Sequence, residues 1–478
     1  MIRAALGLEL RTLLRSPLRL VVLILTLGVG GFVIAQGQGD VQRWREAIDA
    51  GRSKQEESVA EARAFLDADQ TGPEDRPWID LTKPLWQDRY AATRLVREPA
   101  PLAGIAFASL ETDAVAVRIS RSTDPLLAQG AKIENPELEA AGGFDLVTVL
   151  ALFIPLLLLA LGVEVGGHER ASGILPLIRV QSGGESRWLC ARCAVIGGIG
   201  AAAGLLLVLA ASVAGAVDLG SSLIFAGLVL CYVALWTSLL TVVALVARHP
   251  SQGAVALGGF WIVLCILVPA LGVERAAAIG AEDFALDLTV DARDAGGAAG
   301  DLDDESVFES LLQRYPRLEL DLPDERPSVS YVERGGLGFI ELEERMKQRE
   351  ALGQEQVMLV ERVSLASPVV AFTRALEGLA GRGPGAAQEH QRAVLDAVSD
   401  RVERLIAGTW KGDPLDAGDF EELLASTPEV LSSRQRAPTK DFVILIAWTL
   451  AFVAAAALLS RRGSRRRQVP QSSVAALA

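Results

Sequence analysis

Few side chains in this sequence have the types and spacing that bond-making chemistry needs. Three histidines are spread over the chain, and only His390 belongs to one of its two long polar insertions. No His-Glu-x-x-His, Gly-x-Ser-x-Gly or cluster of His with Asp occurs, so metal or triad catalysis lacks its parts. Gly-x-x-x-x-Gly-Lys-Ser/Thr is missing too, leaving no P-loop to cradle nucleotide phosphates. Cys190-x-x-Cys193 has the spacing of a zinc or redox pair but no second Cys or His pair, and ordinary small helix residues account for it. Cys231 and Cys265 lie in apolar runs, so there is no disulfide framework. The expectation is a non-enzyme with no metal or cofactor of its own.

The most specific arrangement is a charged stretch, 164–192, between two long apolar runs. It is too polar to enter lipid and too short to fold alone, so it lies on a membrane surface. There Glu169, Arg170 and Arg179 would form ion pairs with a cytosolic partner, while Leu175, Leu177 and Ile178 fill an apolar groove on it. Gly173 would permit close backbone approach, and Gly183-Gly184 would hinge into the following span. The plainer reading is a polar connection that merely satisfies topology.

The elements that must position this stretch are membrane helices. Half of the 478 residues are hydrophobic and 22% are charged, a mixture that suggests spans alternating with sizeable polar loops. Six runs are long enough to cross a bilayer: 18–36, 144–163, 193–217, 220–247, 254–274 and 442–460. Arginines crowd the N-terminus, the 164–192 stretch, the connection at Arg248 and the tail from Arg461, which six spans place on one side. The positive-inside rule makes that side the cytoplasm, with both termini in it. The net charge of −13 then belongs to the outer loops, and it excludes nucleic acid as a partner. The runs carry no ionisable group at depth, which disfavours proton or sodium coupling.

Residues 1–17 read as an amphipathic interfacial helix, with Ile2, Leu6, Leu10, Leu13 and Leu14 on one face and Pro17 ending it. It is either a snorkelling anchor or an elbow that moves with a transport cycle. The insertion 37–143 opens as a helical continuation of the first span, with short strands at 105–108 and 114–119. The insertion 275–441 has a flexible Gly- and Asp-rich patch at 291–304 and long helices at 339–364 and 388–406. Each insertion alone has a thin core, so the two should pack as one mixed α+β outer lobe. Gly200-x-x-x-Gly204 suits either a dimer seam or packing within the chain.

The 164–192 stretch resembles ABC transporter permeases of the ABC-2 type. These carry, between their second and third spans, a pattern close to Glu-Arg-x-Ser-Gly-Thr-Leu, then apolar residues, a break and a basic residue. Here it reads Glu169-Arg170-Ala171-Ser172-Gly173-Ile174-Leu175, then Leu177, Ile178 and Arg179, and after Gly183-Gly184, Arg187. Ile174 stands for the usual Thr, and Gln181-Ser182-Gly183 where many members have Pro. Glu9, Arg15-Ser16-Pro17 and Ser364-Leu365-Ala366-Ser367-Pro368 with Phe372 extend the resemblance to a bacterial branch with two large external insertions. The resemblance implies an α-helical integral membrane protein with six transmembrane helices and an extracytoplasmic domain, in the bacterial inner membrane. It also implies that Glu169, Arg170, Ser172, Gly173, Leu175, Leu177, Ile178, Arg179 and Arg187 dock on a separate cytosolic ABC ATPase subunit that binds the ATP. A second permease subunit, like or unlike this one, and membrane lipids complete the expected partners. The function implied is export of an apolar or amphipathic substrate. The alternative is a mechanical transmitter whose outer lobes act on an envelope partner while nothing crosses.

Overall fold

Inside lipid every backbone polar group must be satisfied within the segment, which the α-helix achieves. The computed structural model describes residues 2–107, 116–120, 144–182, 184–279, 284–321, 329–411, 414–426, 430–431 and 437–465. Among these, six helices are long and apolar enough to cross a membrane.

The chain begins with α1 (Ile2–Arg15) and, after Ser16, α2 (Pro17–Asp67), one unbroken helix of 51 residues. At 1.5 Å per residue α2 is about 75 Å long, far more than a bilayer needs. Its distal half enters a polar lobe with α3 (Pro84–Tyr90), β1 (Thr93–Arg97) and β2 (Ala116–Ile119). The chain returns through α4 (Leu146–Gly162), makes the short helices α5 (Gly167–Ala171) and α6 (Leu175–Ser182), then crosses as α7 (Glu185–Ala214), α8 (Leu219–Val246) and α9 (Pro250–Ala278). The second insertion supplies α10 (Phe284–Asp301), α11 (Asp304–Arg314), α12 (Tyr331–Ala366), α13 (Pro368–Leu379), α14 (Pro384–Lys411), α15 (Ala417–Ala425) and β3 (Val430–Leu431). The last span is α16 (Thr439–Arg465).

The bundle core is built by Leu150, Ile154 and Leu157 of α4, Ile196 and Leu207 of α7, and Phe225, Tyr232 and Leu239 of α8. Glycines let the backbones approach. A Cβ at Gly200 would stand 2.6 Å from Leu158, and one at Gly204 2.7 Å from Val229. That glycine stripe therefore packs inside the chain, which decides between its two sequence readings.

The α12–α13 hairpin dips from the lobe into the bundle. At its tip the Ser367 hydroxyl donates to the Leu264 carbonyl at 3.0 Å, within a π turn of α9 at Val263–Leu267. Such a turn leaves carbonyls without their usual helical donors, and a side-chain hydroxyl satisfies one. The Trp448 indole donates to the Leu365 carbonyl at 3.1 Å, and Phe372 stacks on Tyr232 with ring centres 4.0 Å apart.

The lobe draws its core from both insertions: Ala62, Leu81, Leu95 and Ile119 from the first, Phe308, Leu311, Val402, Ile406, Trp410 and Phe420 from the second. A buried Arg401–Asp88 pair at 2.6 Å joins them. The sheet order is β2-β1-β3, antiparallel between β1 and β2 and parallel between β1 and β3. Three local expectations fail. Residues 103–105 form a 3-10 turn where a strand at 105–108 was expected, because the Gly104 carbonyl and Gly37 of α2 are in close backbone contact; Ala108 lies outside the described residues. The Gly- and Asp-rich patch is mostly helix in α10, held where Arg334 donates to the Ala299, Gly300 and Leu302 carbonyls. Finally, the apolar face of α1 looks outward: Ile2, Leu6, Leu10 and Leu14 are exposed, while Ala5, Glu9 and Leu13 are buried against the protein. Lipid is the apolar phase there, so hydrophobicity does not mark the face that packs.

Candidate functional site

At the end of the bundle opposite the lobe, five charged side chains alternate in sign along one line. Glu164, in the turn after α4, accepts from Arg19 of α2 at 2.8 Å, and Arg19 stands 3.8 Å from Glu9 of α1. Glu9 pairs in turn with Arg192 of α7, and Arg192 pairs with Glu169 of α5. Glu169 is 2% exposed, and its other oxygen accepts the Gly166 backbone N–H at 2.7 Å, capping α5. Glu9, Arg19 and Arg192 are equally buried. Buried charges are tolerated when paired and hydrogen-bonded, and these five tie α1, α2, α5 and α7 into one unit.

A second group continues from α5. Arg170 donates to Glu185 of α7 at 2.9 Å and to the Ala244 and Leu245 carbonyls of α8 at 2.9 and 3.0 Å, and it also bonds the Ala247 carbonyl. A guanidinium on the last carbonyls of a helix satisfies acceptors left without donors and complements the helix dipole. Glu185 is shared with Arg179 of α6 at 2.9 Å. The backbone there is specialised: Gly166 has φ +82°, and a Cβ on it would collide with the Ala244 carbonyl. Gly173 has φ +72° with open space around it, a left-handed turn that suits Gly between α5 and α6.

The charged stretch therefore forms a bracket whose inner side is bolted to four helices and whose outer side is apolar. On α6 and the turn before it Ile174, Leu177 and Val180 are 43%, 60% and 85% exposed, a stripe at three-residue spacing. Arg187 is exposed beside it, and Ser172 turns its hydroxyl back to the His168 carbonyl at 2.7 Å. Several expected roles are corrected by this geometry. Glu169 and Arg170 do not project toward a partner; they hold α5 against α7 and α8. Leu175 is buried, Ile178 is half-buried, and Arg179 is engaged with Glu185. Of the expected apolar contacts only Leu177 stands fully outward, and Val180, which the sequence reading passed over, is the most exposed. Glu9, Arg19, Glu164, Glu185 and Arg192 were legible only as surface charges, although Glu9 at the i+4 position between Ala5 and Leu13 and Arg19 at the head of an apolar run were the available signals.

The network side and the hairpin tip thus mark two ends of one bundle of membrane helices. No curated protein and no solved structure matches this chain. A family model described as ABC-2 family transporter protein matches residues 187–463, which takes in α7 to α16 and leaves the bracket and both N-terminal helices just outside. That match spans more than half of the chain, with six membrane-spanning helices in the corresponding fold, and the chain belongs to the ABC-2 family of transporter proteins.

Proposed function

We propose that the chain is the membrane subunit of an ATP-driven exporter and that the α5–α6 bracket is where a separate ABC ATPase subunit pushes on it. The observation that carries this reading is the exposed Ile174, Leu177 and Val180 stripe on a helix bolted by Glu169, Arg170 and Glu185 to three others. An apolar ridge flanked by the exposed Arg187 suits a groove on a protein partner. The network side is then cytoplasmic, in agreement with its arginines, and the lobe is extracytoplasmic. ATP-driven closure of two motor subunits would tilt α4 and α7 through the bracket, and α1 and α2 would follow through Glu9 and Arg19. A second permease subunit completes the path, and the bacterial inner membrane is the setting. Membership of a transporter family favours transport over transmission of force alone, so the lobes move with transport in this reading.

The test is co-purification of the chain with its ATPase and assay of transport-coupled ATP hydrolysis. Leu177→Glu with Val180→Glu is expected to weaken the association about tenfold or more while leaving the melting temperature of the isolated chain unchanged. Retained association in that variant would sink the docking surface.

A further inference from the structure

The lobe as a whole is acidic, yet one cleft in it is strongly basic. A cavity of about 330 Å³ is lined by Lys54, Arg76, Arg89, Arg94 and Arg118, with Glu61 as its one acidic residue. Arg76 is paired with Glu61 at 2.8 Å, which leaves Lys54, Arg89, Arg94 and Arg118 on the wall without an acidic lining residue to match them. Two of these face each other by construction, since Arg94 of β1 and Arg118 of β2 are direct partners in the antiparallel ladder. Like charges directly opposite on a sheet are destabilising, so something must favour keeping them.

The side chains are also held in place. Arg94 runs along α2, where Gly51 leaves room for its stem, and its backbone N–H donates to Gln55 at 2.9 Å. Arg118 donates to the Arg89 carbonyl at 2.7 Å, and the Arg89 guanidinium lies 5.6 Å over the Trp86 ring. Burial and the nearby charges of Arg89, Arg94 and Arg401 push the Arg118 guanidinium below its ordinary value, with Asp88 opposing them. Ser58, Gln55 and Tyr90 add neutral polar groups to the wall.

We infer that this cleft binds the phosphoryl group of a soluble polar compound of about sugar-phosphate size. Guanidinium forks match phosphate oxygens two at a time, and a dianion answers several convergent cations better than a single carboxylate does. The volume lies at the small end of ligand pockets, which suits one ring and one phosphate. Membrane lipid is a poor candidate. Lys54 follows the end of the apolar run of α2 at Ala35 by a helical stretch of roughly 28 Å, out of reach of a head group in the same leaflet.

The experiment melts the full chain, in detergent and free of phosphate, against increasing glycerol phosphate or inorganic phosphate, with glycerol as the neutral control. A saturable rise in melting temperature with both phosphates and not with glycerol is expected. The Arg94→Gln/Arg118→Gln variant should weaken that affinity at least about tenfold. Without phosphate the same variant should melt no lower than the parent chain, because a like-charge pair has been removed; this distinguishes ligand binding from a structural role. No phosphate response in the parent chain, or an undiminished response in the variant, overturns the assignment. A response confined to nanodiscs of anionic phospholipid, absent with glycerol phosphate, overturns the soluble source.

Discussion

At the residue scale, the ion network should behave as buried charge and not as surface decoration. Glu169→Arg places a second guanidinium against Arg192, and Arg192→Leu leaves Glu9 and Glu169 without their shared partner. Each is expected to destabilise the purified chain by about 3–5 kcal/mol, read as a fall in melting temperature, because removing one member of a buried pair leaves the other uncompensated. The exposed Arg187→Gln, by contrast, should leave melting unchanged. Glu377 offers a pH signature outside the six spans. Half-buried on α13, it is pushed up to about 7 by desolvation and by the Asp145 carboxylate, with Arg374 opposing. Arg374 is itself engaged by Asp441 at 3.1 Å and Glu361 at 3.6 Å. A carboxyl raised in the folded state contributes stability in full below its unfolded value, and this is lost as pH rises through the folded value. Melting temperature should therefore fall between about pH 5 and pH 8, and Glu377→Gln should flatten that fall.

At the scale of elements, α5 and α6 divide the labour of the bracket. Gly166→Ala is expected to lower stability by about 1–3 kcal/mol, since it adds a left-handed strain to a collision with the Ala244 carbonyl. Gly173→Ala meets open space and carries only the strain, so its effect should be smaller, about 1 kcal/mol. Comparing the two by thermal melting separates packing from backbone conformation. The helical identities of α2, α12 and α14 were legible from periodicity and from stops such as Ser367-Pro368. The strand β1 was not, because Thr93–Arg97 alternates two arginines with buried residues only once its partners are in place.

At the scale of the whole molecule, α2 is a single rod from the ion network to the lobe, so Arg19 at one end and Lys54 at the other belong to one rigid element. The lobe core mixes both insertions, which makes it one folding unit that neither insertion completes alone. A fragment of residues 284–426 is accordingly expected to lack a cooperative thermal transition, whereas the lobe in the full chain resists limited proteolysis as one piece. Span number, the sidedness of arginine and the helical character of the long insertions follow from sequence alone, because lipid demands continuous apolar helices and local periodicity determines their extent. Tertiary structure alone decided which face of each helix turns inward and which charges meet. In α1 the apolar stripe is plain in the sequence, but with apolar lipid on one side and protein on the other only packing determines that Glu9 points inward to Arg192 and that Leu6 does not.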